Sequence, residues 1–307
     1  MAPEFLCATI AVIGQESSFV VDPVVTGLGQ IAWREIDQRR KTYHVPQLLL
    51  DAALDLRSPD GKTYRQRIDG AKTERHLSAV FEDFVAQVPL GEKLFGGYNP
   101  VRTLGSMQVS IDFIEEYARQ RPFPLSGRSS LRAAAFSRRG GIYFGTAHLL
   151  DYPAPYDEPI YRFADYNAGR YASRNAAFQS AVSIVAGIRL DLDGALVNYR
   201  QKSSSAVLSD TSRLALSLAP QLGLDERQIM QDLQYQRSAD FETTSTYRRV
   251  FSQADKLAGV TLPRAILPQI KLSGPKISRN NLSTAWFAGR VNTRYGVCLS
   301  RNGSSLR

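Results

Sequence analysis

Ile13-Gly14-Gln15-Glu16-Ser17-Ser18-Phe19 is the stretch whose reading decides the fold. It ends an apolar run containing Phe5, Leu6, Ala8, Ile10, Val12 and Ile13, and it leads into Asp22-Pro23. Apolar residues in that pattern predict a buried helix. Glu16 then stands where a hydrophobic helix runs out, among small polar residues. Burial of that kind raises a carboxyl pKa and keeps a proton available near neutral pH. The fold that presents Glu16 is expected to be mainly α.

The pattern outward from this helix supports the class. Residues 46–56 place Leu48, Leu49, Ala52 and Leu56 on one helical face. The Ser58-Pro59-Asp60-Gly61 turn ends that helix. Residues 73–88 form an amphipathic helix, with Leu77, Val80, Phe81, Phe84, Val85 and Val88 at three- and four-residue steps. Further helices are predicted over 107–121, 129–150, 161–188, 205–218, 225–234 and 241–257. Residues 62–68 and 190–192 are the two short strand candidates. Lys202-Ser203-Ser204-Ser205 reads as a subdomain seam, 261–275 as an extended linker bearing three prolines, and the tail from 300 as frayed.

With 307 residues, 43% of them hydrophobic, the chain has ample material for a core. No apolar run approaches the length of a membrane span. The net charge is +9. All of it comes from residues 200–307, which carry 16 basic and 7 acidic side chains. A basic surface suits anionic polymers, but these basic residues are scattered rather than blocked, which argues against nucleic acid. Cys7 and Cys298 either pair or stand as two buried thiols, and the second reading is preferred. His44, His76 and His148 are isolated from one another, so no metal site and no cofactor is expected. No basic segment followed by a long apolar stretch opens the chain, so no complete secretory signal is visible. The first core helix is under way at once, as if an upstream segment were missing.

Two segments downstream add to Glu16. Gly105-Ser106-Met107-Gln108 brings a glycine that allows close backbone approach, an adaptable thioether and an amide fork. Asp165-Tyr166-Asn167-Ala168-Gly169 presents a phenol and an amide beside small residues. A carboxyl, two amides and a hydroxyl suit a groove for a neutral N-acetylated sugar. Asp22 and Asp165 are candidates for a second carboxylate, the plainer readings being an Asp-Pro turn and a solvent-facing side chain.

These three segments resemble the ordered motifs of the lysozyme-like lytic transglycosylases: Glu-Ser, then Gly-Leu-Met-Gln, then Ala-Tyr-Asn-Ala-Gly. Ser106 and Asp165 depart from that pattern. Glu16 and Gly105 also lie 89 positions apart, far more than the pattern usually has, which implies an insertion over 40–100. Gly27-Leu28-Gly29-Gln30 sits at the usual spacing as a rival second motif. Met107-Gln108 is preferred because it leads into an amphipathic helix. The longer context is similar to a bacterial family of unknown function, predicted to be envelope lipoproteins. That similarity runs through Arg138-Arg139-Gly140-Gly141 and Tyr171-Ala172-Ser173-Arg174-Asn175.

The resemblance implies a lysozyme-like core over 1–200 and a basic, mostly helical extension over 201–307. It implies peptidoglycan strands as the partner, a periplasmic envelope location and outer-membrane association through an upstream lipid anchor. Glu16 would cleave the bond between N-acetylmuramic acid and N-acetylglucosamine as sole acid and base, leaving a 1,6-anhydro ring. Ser17, Met107, Gln108, Tyr166 and Asn167 would line the substrate site, with Met107 as floor or as core filler. The rivals are a hydrolytic muramidase and a non-catalytic envelope protein that binds glycan or a partner.

Overall fold

A computed structural model describes residues 2–88, 90–91, 93, 96–121, 123, 130–197, 208–272 and 282–304. The chain is mainly helical, and it packs as two units: Ile13–His148, and Met1–Val12 with Leu149–Arg307. The predicted seam at 202–205 and the expected boundary between 200 and 201 lie outside the described residues.

The first helix, α1 (Pro3–Glu16), ends on Glu16 as the apolar run requires. In the 13–148 unit it is followed by α2 (Leu28–Thr42), α3 (Gln47–Leu54), α4 (Tyr64–Asp69) and α5 (Glu74–Gln87). Helix α2 was not expected, because its sequence is largely charged and buries only Leu28 and Ala32 fully. Helix α4 replaces the strand expected over 62–68. The Thr63 hydroxyl accepts the Gln66 N–H while the Gln66 side chain accepts the Thr63 N–H. That reciprocal cap starts a helix, and it buries Tyr64 and Ile68 one turn apart.

Strands β1 (Thr103–Leu104) and β2 (Val109–Ser110) pair antiparallel, Leu104 opposite Val109. The helix expected from 107 begins only at α6 (Ile111–Gln120), whose first turn is capped by Ser110. Residues 105–108 are instead the hairpin turn. The long helix expected over 129–150 divides into α7 (Leu131–Ala135) and α8 (Arg138–Leu150). Ser137 causes the break, its hydroxyl accepting the Gly140 N–H at 3.0 Å.

In the other unit the helix expected over 161–188 divides into α9 (Pro159–Ala168) and α10 (Ala172–Ala186), separated by Gly169 at φ 111°. Then come α11 (Asp210–Ser217), α12 (Ala219–Leu222), α13 (Glu226–Leu233), α14 (Ser245–Ala258) and α15 (Thr284–Ser304). Helix α10 is buried nearly all round, its apolar residues joined by the buried polar side chains of Ser173, Arg174, Asn175 and Gln179. Its Phe178, Ala181 and Val182 pack in one cluster with Phe241 and with Tyr247, Val250 and Phe251 of α14. Each such large side chain contributes about 1.5–3 kcal/mol on burial. No strand forms at 190–192; the Leu192 carbonyl accepts the Gln269 N–H at 2.7 Å.

Helix α15 lies along α9. It also carries Cys298, which is bonded to Cys7 with S–S 2.00 Å and Cα–Cα 5.5 Å. The preferred reading of two free thiols is therefore corrected. The two cysteines stand near opposite ends of the sequence, and that separation hid a proximity made by folding. No described helix is long and apolar enough to cross a membrane.

Candidate functional site

Glu16 is the last residue of α1 and is half-buried, following the buried Val12 and Ile13. Ser17 extends the same turn: both its N–H and its hydroxyl donate to the Ile13 carbonyl, at 3.0 and 3.3 Å. It is buried, so its hydroxyl serves the helix end. The chain then passes through Ser18 at φ 51° and Phe19 at φ 68°, two consecutive left-handed residues without glycine. Each such residue costs about 1–3 kcal/mol. Beyond them, Val25 donates its N–H to the Lys72 carbonyl at 2.9 Å, and Val24 bridges Thr73. The loop leaving Glu16 is thus pinned to the start of α5.

The 105–108 turn is seated on α8. Gly105 has φ 73°, and a Cβ there would lie 2.4 Å from the Ala135 carbonyl oxygen. Gly145 of α8 has no room for a side chain either: a Cβ would lie 2.2 Å from the Met107 sulfur. Met107 is accordingly wholly buried, filling the space over Gly145. Of its two expected roles, the structure places it in the core.

Gln108 is half-buried with φ 52°, and its amide is held on both sides. Its Oε1 accepts the Thr103 hydroxyl at 2.9 Å. Its Nε2 donates to the Gly105 carbonyl at 3.2 Å and to Glu74 Oε2 at 3.3 Å. Glu74 is a carboxylate that no sequence motif singles out. It sits in the first turn of α5 behind the Thr73 cap, the ordinary place for an acid at a helix start, yet only 9% of it is exposed. The loop from Glu16 reaches Thr73, and the next residue holds Gln108. The rival Gln30 is exposed on the first turn of α2.

The third segment lies in the other unit, at the end of α9. Tyr166 is buried and Asn167 exposed, with the Asn167 Oδ1 accepting the Thr284 hydroxyl at 2.8 Å. Asp165 does not face solvent; it is fully buried. Its Oδ2 accepts the hydroxyls of Tyr152 (3.2 Å) and Tyr156 (2.8 Å) and the Tyr171 N–H (2.8 Å). Its Oδ1 accepts the Ser173 N–H at 2.7 Å. Burial pushes its carboxyl above the ordinary range, opposed by these hydrogen bonds. The two tyrosine hydroxyls are pushed up as well, by burial first and then by the nearby Asp165. Asp165 therefore ties the α9–α10 connector, including Tyr171 at φ 67°.

Arg174 follows the same logic. Its buried guanidinium donates to the carbonyls of Ser238 (2.7 Å) and Gln236 (2.8 Å) and lies 4.3 Å from the Tyr171 ring centre. Among the described residues no three His, Cys, Asp or Glu side chains gather as metal ligands would.

The chain matches DUF1615, a protein family of unknown function, over residues 1–301. It is similar to the uncharacterized protein YaiW of Escherichia coli (strain K12), with 48% identity over 298 residues, covering 97% of this chain and 80% of that relative. No solved structure matches. Both the extent of the family match and the identity to YaiW place this chain in the DUF1615 family.

Proposed function

We propose that this protein is a peptidoglycan lytic transglycosylase with Glu16 as its single acid and base. One observation carries the reading. Six described non-glycine residues have positive φ, and four of them, Ser18, Phe19, Gln108 and Tyr171, stand in or directly beside the three motif segments. Backbone strain persists where the surrounding structure over-determines it, and it concentrates at functional sites.

The chemistry needs one carboxyl. Glu16, as the acid, gives its proton to the oxygen bridging N-acetylmuramic acid and N-acetylglucosamine as the C1–O bond breaks. The C6 hydroxyl of the muramic acid closes on C1, and its proton passes to the Glu16 carboxylate, which becomes the acid again. One C–O bond breaks, one forms, and no water is consumed. Glu16 stands at the C-terminal end of α1. Gln108, its two amide hydrogens held by Gly105 and Glu74 and its Oε1 by Thr103, keeps one fixed Oε1 lone pair to accept a sugar hydroxyl or acetamido N–H. Tyr166 and Asn167 take the sugar-orienting roles that the motif resemblance gives them. The Cys7–Cys298 bond supports a periplasmic location, because such bonds persist in oxidising compartments.

Glu74 favours one second reading, hydrolysis by a muramidase. It is a carboxylate on the element pinned to the Glu16 loop, and many glycosidases use a pair. Digestion of purified sacculi followed by mass spectrometry separates the two. The proposal expects 1,6-anhydromuropeptides; reducing ends would favour hydrolysis. Sacculus binding without any product would leave a glycan-binding protein. Glu16→Gln is expected to lower the rate by at least about 10²-fold. Full activity in that variant would remove Glu16 from the mechanism.

A further inference from the structure

Independently of the peptidoglycan reading, the 13–148 unit contains a cavity of about 420 Å³ between α2, α3, α4 and α5. That is within the ordinary size range of small-molecule sites. Its floor is apolar and buried, formed by Ala32, Leu54, Ile68, Leu77 and Val80. Its solvent-exposed lining carries Tyr43 and Tyr98, whose rings meet edge to face with centres 5.6 Å apart. Arg39 and Arg40 also line it.

The charges on this side of α2 do not cancel. Arg39 pairs with Glu35 at 2.7 Å, while Arg40 and Lys41 share the single carboxylate of Asp37 at 2.9 and 2.6 Å. Of the side chains that line the cavity, two, Arg39 and Arg40, are cations and one, Glu35, is a carboxylate. Tyr64, on the cavity wall, is fully buried, and its hydroxyl has no hydrogen-bond partner among the described residues. A buried donor left without an acceptor is costly, and a bound oxygen would relieve it. The helix that lends Leu50 and Leu54 to the wall also exposes Leu48 and Leu49, at 79% and 61%. Apolar side chains beside a basic helix form a lip at which an amphiphile can leave a lipid surface.

We infer that this cavity binds a single-chain anionic amphiphile, with its acyl chain on the apolar floor and its carboxylate or phosphate at Arg39 and Arg40. Apolar space closed by an excess of positive charge fits that class. A neutral apolar molecule would not use the arginines, and a cationic amphiphile would be repelled by them.

Calorimetric titration of the full chain with dodecanoate, below its micelle concentration, tests this. Dodecan-1-ol and dodecyltrimethylammonium serve as neutral and cationic controls. One saturable site for dodecanoate is expected, at least tenfold tighter than for either control. Ile36→Trp or Leu50→Trp, which put an indole into the cavity from half-buried positions, should weaken binding at least tenfold while the melting temperature is kept. Arg40→Gln should weaken dodecanoate several-fold and leave dodecan-1-ol unchanged. Lysophosphatidylglycerol in place of dodecanoate tells a phosphate head from a carboxylate, and tight binding of either supports the inference. Equal affinity for all three dodecyl compounds, or binding that a folded Trp variant does not weaken, would overturn it. So would the absence of saturable binding by both anions.

Discussion

Asp165→Asn is the substitution whose cost the structure defines best. The side chain is fully buried and accepts from four donors: two tyrosine hydroxyls and the N–H groups of Tyr171 and Ser173. Asn has nearly the same shape, so no cavity opens. One of its two positions is now an NH₂ group, however. In one orientation it faces the Ser173 N–H, in the other the Tyr171 N–H. Either way a buried backbone donor meets a donor. A buried group left unsatisfied costs about 1–3 kcal/mol, and the tyrosine hydroxyls must re-pair as well, so a loss of about 2–4 kcal/mol is expected. For a chain of this size that corresponds to a melting temperature lower by roughly 3–6 °C.

The pH dependence has a definite sign. Burial raises the Asp165 carboxyl above its ordinary value. The folded state then holds its proton more readily than the unfolded state. The stabilisation from this group is full below the unfolded pKa and fades as pH rises through the folded one. The gap between wild type and Asp165→Asn should therefore widen as pH falls from 7 towards 4. Thermal melts followed by circular dichroism over that range measure both quantities. Equal melting temperatures at pH 7, or a gap that narrows on acidification, would refute the account of Asp165.

Two other substitutions test the scaffolding. Gly145→Ala forces a Cβ against the Met107 sulfur and should cost about 1–3 kcal/mol by overpacking; in denaturant melts it should cost clearly less in a Met107→Ala background than in wild type. Cys7→Ser removes a link between residues 291 positions apart, and the loop-closure argument gives a loss of up to about 6 kcal/mol. The urea midpoint should fall accordingly, and reductant should bring wild type to the same value; an unchanged midpoint would show that the bond adds nothing.

Much of the helical content was legible because it rests on periodicity. Helix α5 was read almost to its ends, since Leu77, Val80 and Val85 repeat at helical steps and are buried. The failures have local causes. Residues 62–68 alternate well enough to suggest a strand, but the Thr63–Gln66 cap starts a helix. Helix α2 is too charged for its apolar stripe to stand out. At the candidate site the sequence picked out Glu16, Gln108 and Tyr166 by type and order. It could not assign Met107, Asp165 or Glu74, because burial and the partner of each are set by elements distant in sequence. Met107 depends on Gly145, Asp165 on Tyr152 and Tyr156, and Glu74 on Gln108.

The residues packed around the three motifs resolve into support. Gly145 lets the turn that carries Gln108 lie directly on α8, and Arg174 anchors the carbonyls of Gln236 and Ser238 beside Tyr171. Their substitution should lower activity only as far as it lowers stability. The proposed mechanism makes Glu16 a residue of the other kind. It closes a helix whose buried face ends before it, and Ser17, not Glu16, completes the turn by bonding back to Ile13. Under the proposed mechanism, changing Glu16 to Gln should remove more product than any shift of the melt accounts for. A supporting residue cannot behave so, because its whole effect on the reaction passes through the fold. A catalytic Glu16 predicts that separation of stability from activity, and a Glu16 that merely ends a helix predicts the two moving together.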